Sequence, residues 1–344
     1  MRKVLKTMTA AVLSIAMAGS LAACGGSAPQ KNESSSAPSQ AAPASSAAVS
    51  EAGSPADDGT AEYAVVLKVL SSQFWQTMKE GVEAEAEKQG VKVDVYAANT
   101  EDDVEGQVTL LENAISKGYK AIAVAPISAD NLNNAVADAT SKGIYIVNID
   151  EKINMDGLKA LGGAVYSFVS TDNVAVGRMG AQYIVDRIGG KGEVAIIEGK
   201  AGAASGENRK QGATEAFSAD GLKLVESQPA DWDRTKAYDL ATNYINKYPD
   251  LKGIYCCNDT MAMGALEAVK NAGKDILVVG TDGNDDAMAS VQAGELAATV
   301  AQDPAKIGAR GLQMLIEAVK KGGQIDKDAE PITEGIDAIL IKKD

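Results

Sequence analysis

The sequence contains no histidine. That absence removes Ser-His-Asp chemistry and every histidine-based metal site. Cysteine is scarce too: there are three, too few for a disulfide framework, and the two internal ones, Cys256 and Cys257, are neighbours. Adjacent Cα atoms lie about 3.8 Å apart, tighter than the usual disulfide span, so two strand residues pointing to opposite faces are expected in preference to a strained vicinal bridge. There is no Gly-x-x-x-x-Gly-Lys phosphate loop, and no Gly-x-Gly-x-x-Gly follows the first apolar run. Positive charge is outnumbered, with 33 Lys and Arg against 47 Asp and Glu and a net charge of −14, which argues against nucleic acid as a partner. Aromatic residues make up 4% of the chain and only two are tryptophan, so their positions carry weight.

The first segment supplies Arg2, Lys3 and Lys6, followed by an apolar stretch over 8–23. A basic segment followed by a short apolar one reads as an export signal, and it is too short for an ordinary transmembrane helix. The signal ends in Leu21-Ala22-Ala23-Cys24, which resembles the bacterial lipobox. Residues 1–23 are thus expected as a lipoprotein signal peptide and Cys24 as the lipidated first residue, holding the protein on the extracytoplasmic face of the cell membrane. The alternative is an ordinary secretory signal with an incidental cysteine. More than one acyl chain, such as palmitate, on Cys24 would make the anchor lasting. Residues 24–60 are Ser, Ala, Pro, Gly and Gln with scattered charge, too poor in large apolar groups to offset the entropy of ordering, and read as a tether. No later run is long enough to span a bilayer.

From residue 61 onward short β-branched apolar runs recur at 64–70, 91–96, 121–125, 144–149, 194–197, 222–225, 253–256 and 276–279. Between them, 74–89, 104–117, 131–142, 174–188, 235–247 and 260–271 have helical spacing and often stop at glycine. Repeated βα units imply parallel sheets covered by helices, the α/β doubly wound class. The chain beyond residue 60 exceeds what one core usually serves, so two lobes are expected. The pattern pauses over 151–171, and the boundary is placed at the end of that stretch. In such sheets ligands collect beyond the carboxyl ends of the strands.

That is where the unusual residues fall. Ser71-Ser72-Gln73-Phe74-Trp75 follows the first strand, Asp150-Glu151 the fourth, a Gly/Ala-rich turn running to Arg209 the fifth, and Asp231-Trp232-Asp233 the sixth. Asn258-Asp259, Thr281-Asp282 and Gln302-Asp303 come later. Each tryptophan is either a gap-filler in its own lobe or a flat plate for the C–H face of a sugar ring. Asp150, Asp282, Asn258, Gln302 and Arg209 offer the donors and acceptors that hydroxyl groups need. Any single Asp here has the competing role of helix N-cap, the expectation for Asp259 and Asp303. Asp150, Glu151 and Asp282 would also serve a paired-carboxylate glycosidase, but carboxylates near a sugar serve plain binding equally, and no enzyme activity is expected.

From about Glu62 onward the chain resembles the ribose-type periplasmic binding proteins of ABC importers. The likeness is carried by Gln-Pro-Ala-Asp-Trp-Asp-Arg at 228–234, Asn-Asp-Thr-Met-Ala-Met-Gly at 258–264, Val-Val-Gly-Thr-Asp-Gly at 278–283 and Ala-Ala-Thr-Val-Ala-Gln at 297–302. Segments 148–156, 171–177 and 196–202 resemble the D-allose-binding branch more closely. The resemblance implies the type I fold, two lobes joined by crossings near Thr171–Asp172, Gln302–Asp303 and Glu330–Pro331. Residues 61–171 with 303–330 would form the N-terminal lobe, and 172–302 with 331–344 the C-terminal one. It further implies ligand contacts at Phe74, Trp75, Asp150, Arg209, Trp232, Asn258, Asp282 and Gln302, with the two tryptophans as opposed plates.

Lys68 and Glu151 are counted with the ligand contacts too: they stand where ribose binders have serine and arginine, and the allose-binding branch is similar to this chain at both positions. A lysine snorkelling to solvent is the other reading of Lys68. Where that branch has Asn-Pro before Phe-Trp, this chain has Ser72-Gln73, and Ser72 is counted with the contacts. The family implies a monomer that delivers a monosaccharide to ABC permease subunits, without a cofactor, metal or nucleic acid. A sensor subunit presenting sugar to a membrane receptor is the alternative. A repressor sharing the same core would need a basic helix-turn-helix head, and the first 60 residues offer a signal and a tether in its place.

Overall fold

The computed structural model describes residues 61–343; the expected signal peptide, Cys24 and the tether lie outside the described residues. Twelve strands and ten helices occur among them, numbered here in chain order. The first sheet has the order β11-β5-β4-β3-β1-β2, built from β1 (Tyr63–Leu67), β2 (Val93–Ala97), β3 (Ala121–Val124), β4 (Tyr145–Ile149), β5 (Ser167–Thr171) and β11 (Ile332–Ile336). All its pairings are parallel. The second has the order β12-β10-β9-β8-β6-β7, from β6 (Glu193–Glu198), β7 (Lys223–Pro229), β8 (Leu251–Cys256), β9 (Leu277–Asp282), β10 (Ala298–Ala301) and β12 (Ile339–Lys342). Only β12 runs antiparallel to its neighbour in that sheet.

The apolar runs become central strands because helices cover both faces. Every residue of β1 is buried: Val65 and Leu67 join one core cluster, Ala64 and Val66 the other, as side chains alternating across a sheet must. Cys256 and Cys257 are buried free thiols in the core of the second lobe, in agreement with the unbridged reading.

The chain passes between the sheets three times. It leaves the first after β5 to enter α5 (Asn173–Ile188), and leaves the second after β10 for α10 (Pro304–Lys321), which packs on α1 (Gln73–Gln89) and β4. The third passage differs from the expectation at Glu330–Pro331. Ile332–Ile336 pairs with β5 in the first sheet, so the crossing lies between Ile336 and Ile339 and residues 331–336 stay with the N-terminal lobe. Pro331 precedes an edge strand, a position that tolerates a residue with no N–H, and was not the end of the lobe.

Two other segments hold more structure than their sequence pattern suggests. Residues 151–171 contain α4 (Met155–Ala160) and β5, both too short to show periodicity. The Gly/Ala-rich turn before Arg209 is largely a helix, α6 (Ala204–Ala219), with Arg209 on its buried side together with Ser205, Gly212, Ala213 and Ala216. Its buried stripe consists mostly of small residues, so no hydrophobic periodicity marks it.

Those small residues let α5 and α6 approach closely. A Cβ on Gly177 would lie 1.9 Å from the carbonyl oxygen of Arg209, and one on Gly212 would lie 2.0 Å from that of Val174. The helix contact thereby sets the position of the Arg209 backbone. Gly177→Ala should force the helices apart at a cost of about 1–3 kcal/mol, read as a lower urea midpoint. Unchanged stability would show that this separation is not held by close packing.

Candidate functional site

The expected residues converge between the carboxyl ends of the two sheets. Lys68, just past β1, is 3% exposed, and its Nζ donates to Glu151 Oε2 at 3.1 Å; Glu151 follows β4 and is fully buried. This excludes a snorkelling lysine. Burial pulls the Lys68 pKa down, yet Glu151 and its neighbouring carboxylates more than compensate, and the net direction is up. For Glu151 burial pushes upward while Lys68 and two bonds from Ser205 pull downward and prevail. Lys68 Nζ also sits 5.6 Å from the centre of the Trp75 ring. Trp75 packs edge-on against Phe74 at 5.1 Å and donates from Nε1 to Glu101 Oε1 at 3.0 Å, so the indole is oriented at both ends. Ser72 is the N-cap residue of α1 but makes no side-chain capping bond.

In the second lobe Arg209 is 4% exposed and is held by three acceptors: Asn173 Oδ1 at 2.8 Å, the Cys257 carbonyl at 2.7 Å and Asp282 Oδ1 at 3.4 Å. Gln302 Nε2 donates to the same Asp282 oxygen at 2.7 Å, while Gln302 Oε1 is buried with no partner among the described residues. The Arg209 guanidinium lies 5.9 Å from the centre of the Trp232 ring. Trp232 in turn rests on Gly199, where a Cβ would meet the indole at 2.0 Å. Each lobe therefore contributes one tryptophan beside one cation.

Asn258 takes the capping role expected of Asp259. Asn258 is the N-cap of α8 (Asp259–Asn271), accepting from the Met261 amide at 2.9 Å. Asp259 is fully buried and accepts from the amides of Gly283 and Asn284, both at 2.8 Å, and from Thr299 Oγ1 at 2.7 Å. It fastens the turn that carries Asp282, a role its neighbour's capping geometry leaves free. Asp303 does cap α10, as expected.

Four non-glycine residues among those described have positive φ: Asp150, Asp231, Trp232 and Asp282. All lie in loops or strand ends of this site, where such strain is commonly stored. Asp150 feels Lys68 and Glu151 from its own lobe and Arg209 and Asp282 from the other, so the lobes share one electrostatic centre. Burial raises its pKa to about 7 and that of Asp282 to about 6, Arg209 and Gln302 opposing the latter.

Three contacts bridge the lobes directly. Glu151 receives Ser205 N and Oγ, Lys200 Nζ reaches the Glu101 carbonyl at 2.8 Å as well as Asp102, and the Asp285 amide donates to Gln73 Oε1 at 3.1 Å. Sequence reasoning did not name Ser205, Glu101 or Lys200, although Lys200 and Ser205 fall within the turn singled out before Arg209, and it named Asp259 only as an N-cap.

The periplasmic binding protein domain matches residues 63–324. The chain belongs to the periplasmic binding protein family. A D-allose-binding periplasmic protein of Escherichia coli is 57% identical over 285 residues, covering 82% of this chain and 92% of the relative. The ribose import binding protein of Bacillus subtilis is 37% identical, over 72% of this chain and 78% of its own. Among solved structures, an ABC transporter periplasmic solute binding protein from Actinobacillus succinogenes with bound D-allose superposes with a TM-score of 0.77 at 33% identity, covering 83% and 98% of the two chains. A myo-inositol binding protein from Caulobacter gives a TM-score of 0.74 at 30% identity, covering 84% and 96%. These periplasmic binding proteins are solute binders and not enzymes, as expected for this chain.

The raised pKa of Asp150 has a definite sign. Its folded value exceeds that of the unfolded chain, so ionising it costs stability, progressively from about pH 4 to about pH 7. Without sugar, Asp150→Asn should match the parent in stability at pH 4 and exceed it at pH 8, by an amount on the order of 4 kcal/mol. Scanning calorimetry across pH checks this, and a variant less stable at pH 8 than at pH 4 relative to the parent would contradict it.

Proposed function

We propose that this protein captures a single monosaccharide between its lobes by hinge closure and delivers it to the permease subunits of an ABC importer. D-Allose is the leading ligand, with ribose or another aldose or polyol next. The observation that carries the reading is the composition of the cleft. Two tryptophans, two buried cations and three buried carboxylates come from both lobes and converge on one centre. An uncharged polyol can donate to Asp150 and Asp282 and accept from Lys68 and Arg209 without adding charge of its own. Its apolar C–H faces suit the indoles. The 57% identity to a protein named for D-allose favours that sugar, and the pairing of Lys68 with Glu151 favours the same branch.

Phe74, Asn258 and Gln302 complete the proposed contacts. Ser72 is the weakest of them, a half-buried N-cap of α1 whose side chain makes no capping bond. Because contacts come from both lobes, ligand affinity is greater for the closed arrangement, and closure is the signal an importer can read. The monomer acts through a lipid on Cys24, which keeps it at the extracytoplasmic surface.

Calorimetry on the full chain over a panel of monosaccharides should give D-allose the lowest Kd, ahead of ribose and glucose. Binding to none of them would refute the sugar reading. Trp232→Ala should weaken binding at least tenfold, in the range of a lost aromatic stacking contact. For the anchor, Cys24→Ala should move the protein from the membrane fraction to the soluble one, and continued membrane association would count against lipidation.

A further inference from the structure

Glu151 stands among the expected sugar contacts, but its carboxylate is already occupied. Oε1 accepts from Ser205 N at 3.0 Å, and Oε2 accepts from Ser205 Oγ at 2.8 Å and from Lys68 Nζ at 3.1 Å. A carboxylate has about four acceptor positions, and three are filled here in a side chain with no solvent exposure. Both bonds from Ser205 cross from the second lobe to the first. They also answer a local deficiency: the N-cap of α6 is Ala203, which has no side-chain acceptor for the exposed amides of the first turn. Glu151 supplies that acceptor from the opposite lobe, with its charge at the favourable end of the helix.

We infer that Ser205 is a positioning residue for sugar capture: it lets Glu151 cap α6 across the cleft, so that this carboxylate registers the arrival of the second lobe and not a hydroxyl group of the ligand. The inference rests on the sugar-binding reading above. Lys68 keeps Glu151 ionised and correctly placed, and its charge is felt by Asp150 as well. The other two bridges are less enclosed: the bond from Lys200 to the Glu101 carbonyl is only part-buried. Asp102 is 86% exposed on its side chain, and the Gln73 contact lies at the surface, so each contributes little. The buried Ser205–Glu151 contact is the one able to bias closure strongly.

A contact made only with the lobes together stabilises the closed form by the same amount whatever sugar is inside. A contact to a sugar hydroxyl, by contrast, discriminates between epimers. The two roles differ in a measurable way. Stopped-flow tryptophan fluorescence on the full chain, with D-allose and with ribose as probes, should show Ser205→Ala releasing both sugars about tenfold faster, by one common factor, with association rates less affected. Ser205→Thr, which keeps the hydroxyl, should restore the parent rates. Alanine is favourable within a helix, so the substitution leaves folding intact, and the melting temperature of the sugar-free variant should match the parent. Unchanged release, or a factor that differs more than threefold between the sugars, would overturn the inference. Parent protein that binds neither sugar would instead overturn the reading on which it rests.

Discussion

Charge buried where the lobes meet is the constraint on which the rest of the structure depends. Two cations, Lys68 and Arg209, and three carboxylates, Asp150, Glu151 and Asp282, are withdrawn from water at one centre. An isolated buried ion costs several kcal/mol, so none of them is tolerable alone. Lys68 and Glu151 satisfy each other within one lobe, Arg209 and Asp282 within the other, and Asp150 lies between the pairs, influenced by all four. Burial raises the pKa values of Asp150 and Asp282, while the surrounding acidic groups hold those of Lys68 and Arg209 up against the downward pull of burial. A neutral ligand rich in hydroxyl groups suits such a centre, because it brings hydrogen bonds without upsetting the charge.

Holding these groups requires a rigid frame, and the frame is visible one residue further out. Asp259 ties down the turn that presents Asp282, Asn173 and the Cys257 carbonyl grip Arg209, and Glu101 fixes Trp75. Gly199 makes room for Trp232, and Gly177 lets α5 press against the backbone of Arg209. The strained positive φ values at Asp150, Asp231, Trp232 and Asp282 persist because strands and helices on either side leave the loops little freedom. Stability is given up at the site, in strain and in ionisable groups held away from water, and recovered in three buried apolar clusters among the described residues.

Most of the fold was legible in the sequence. β-Branched runs long enough to be strands, separated by helices with clear spacing, mark β1 to β4, β6 to β9 and most of the helices, and the pause over 151–171 marks the first boundary, while the second crossing came from the family resemblance. The short β5 and α4, and the small-residue α6, escaped because their burial comes from neighbours and not from their own periodicity. The third crossing escaped because β11 belongs to the first sheet only by pairing with β5, a contact between residues far apart in the chain. The site shows the same division. Residues that end a strand, such as Asp150, Asp282 and Gln302, could be found by position. Ser205, Lys200 and Glu101 could not, because nothing local marks a residue whose partner lies on the opposite lobe.

By itself, then, the sequence determined that the described chain would form two parallel α/β lobes, with tryptophans and charged groups gathered at the strand ends. Those features follow from side-chain periodicity and residue type, which act over a few neighbours. The tertiary structure decided which carboxylate answers which cation. It also decided that Asn258, and not Asp259, caps α8, and that Glu151 is occupied by Ser205. The physical reason is that hydrogen bonds and ion pairs depend on distances of a few ångströms, and only the folded chain brings residues so far apart in sequence within that reach.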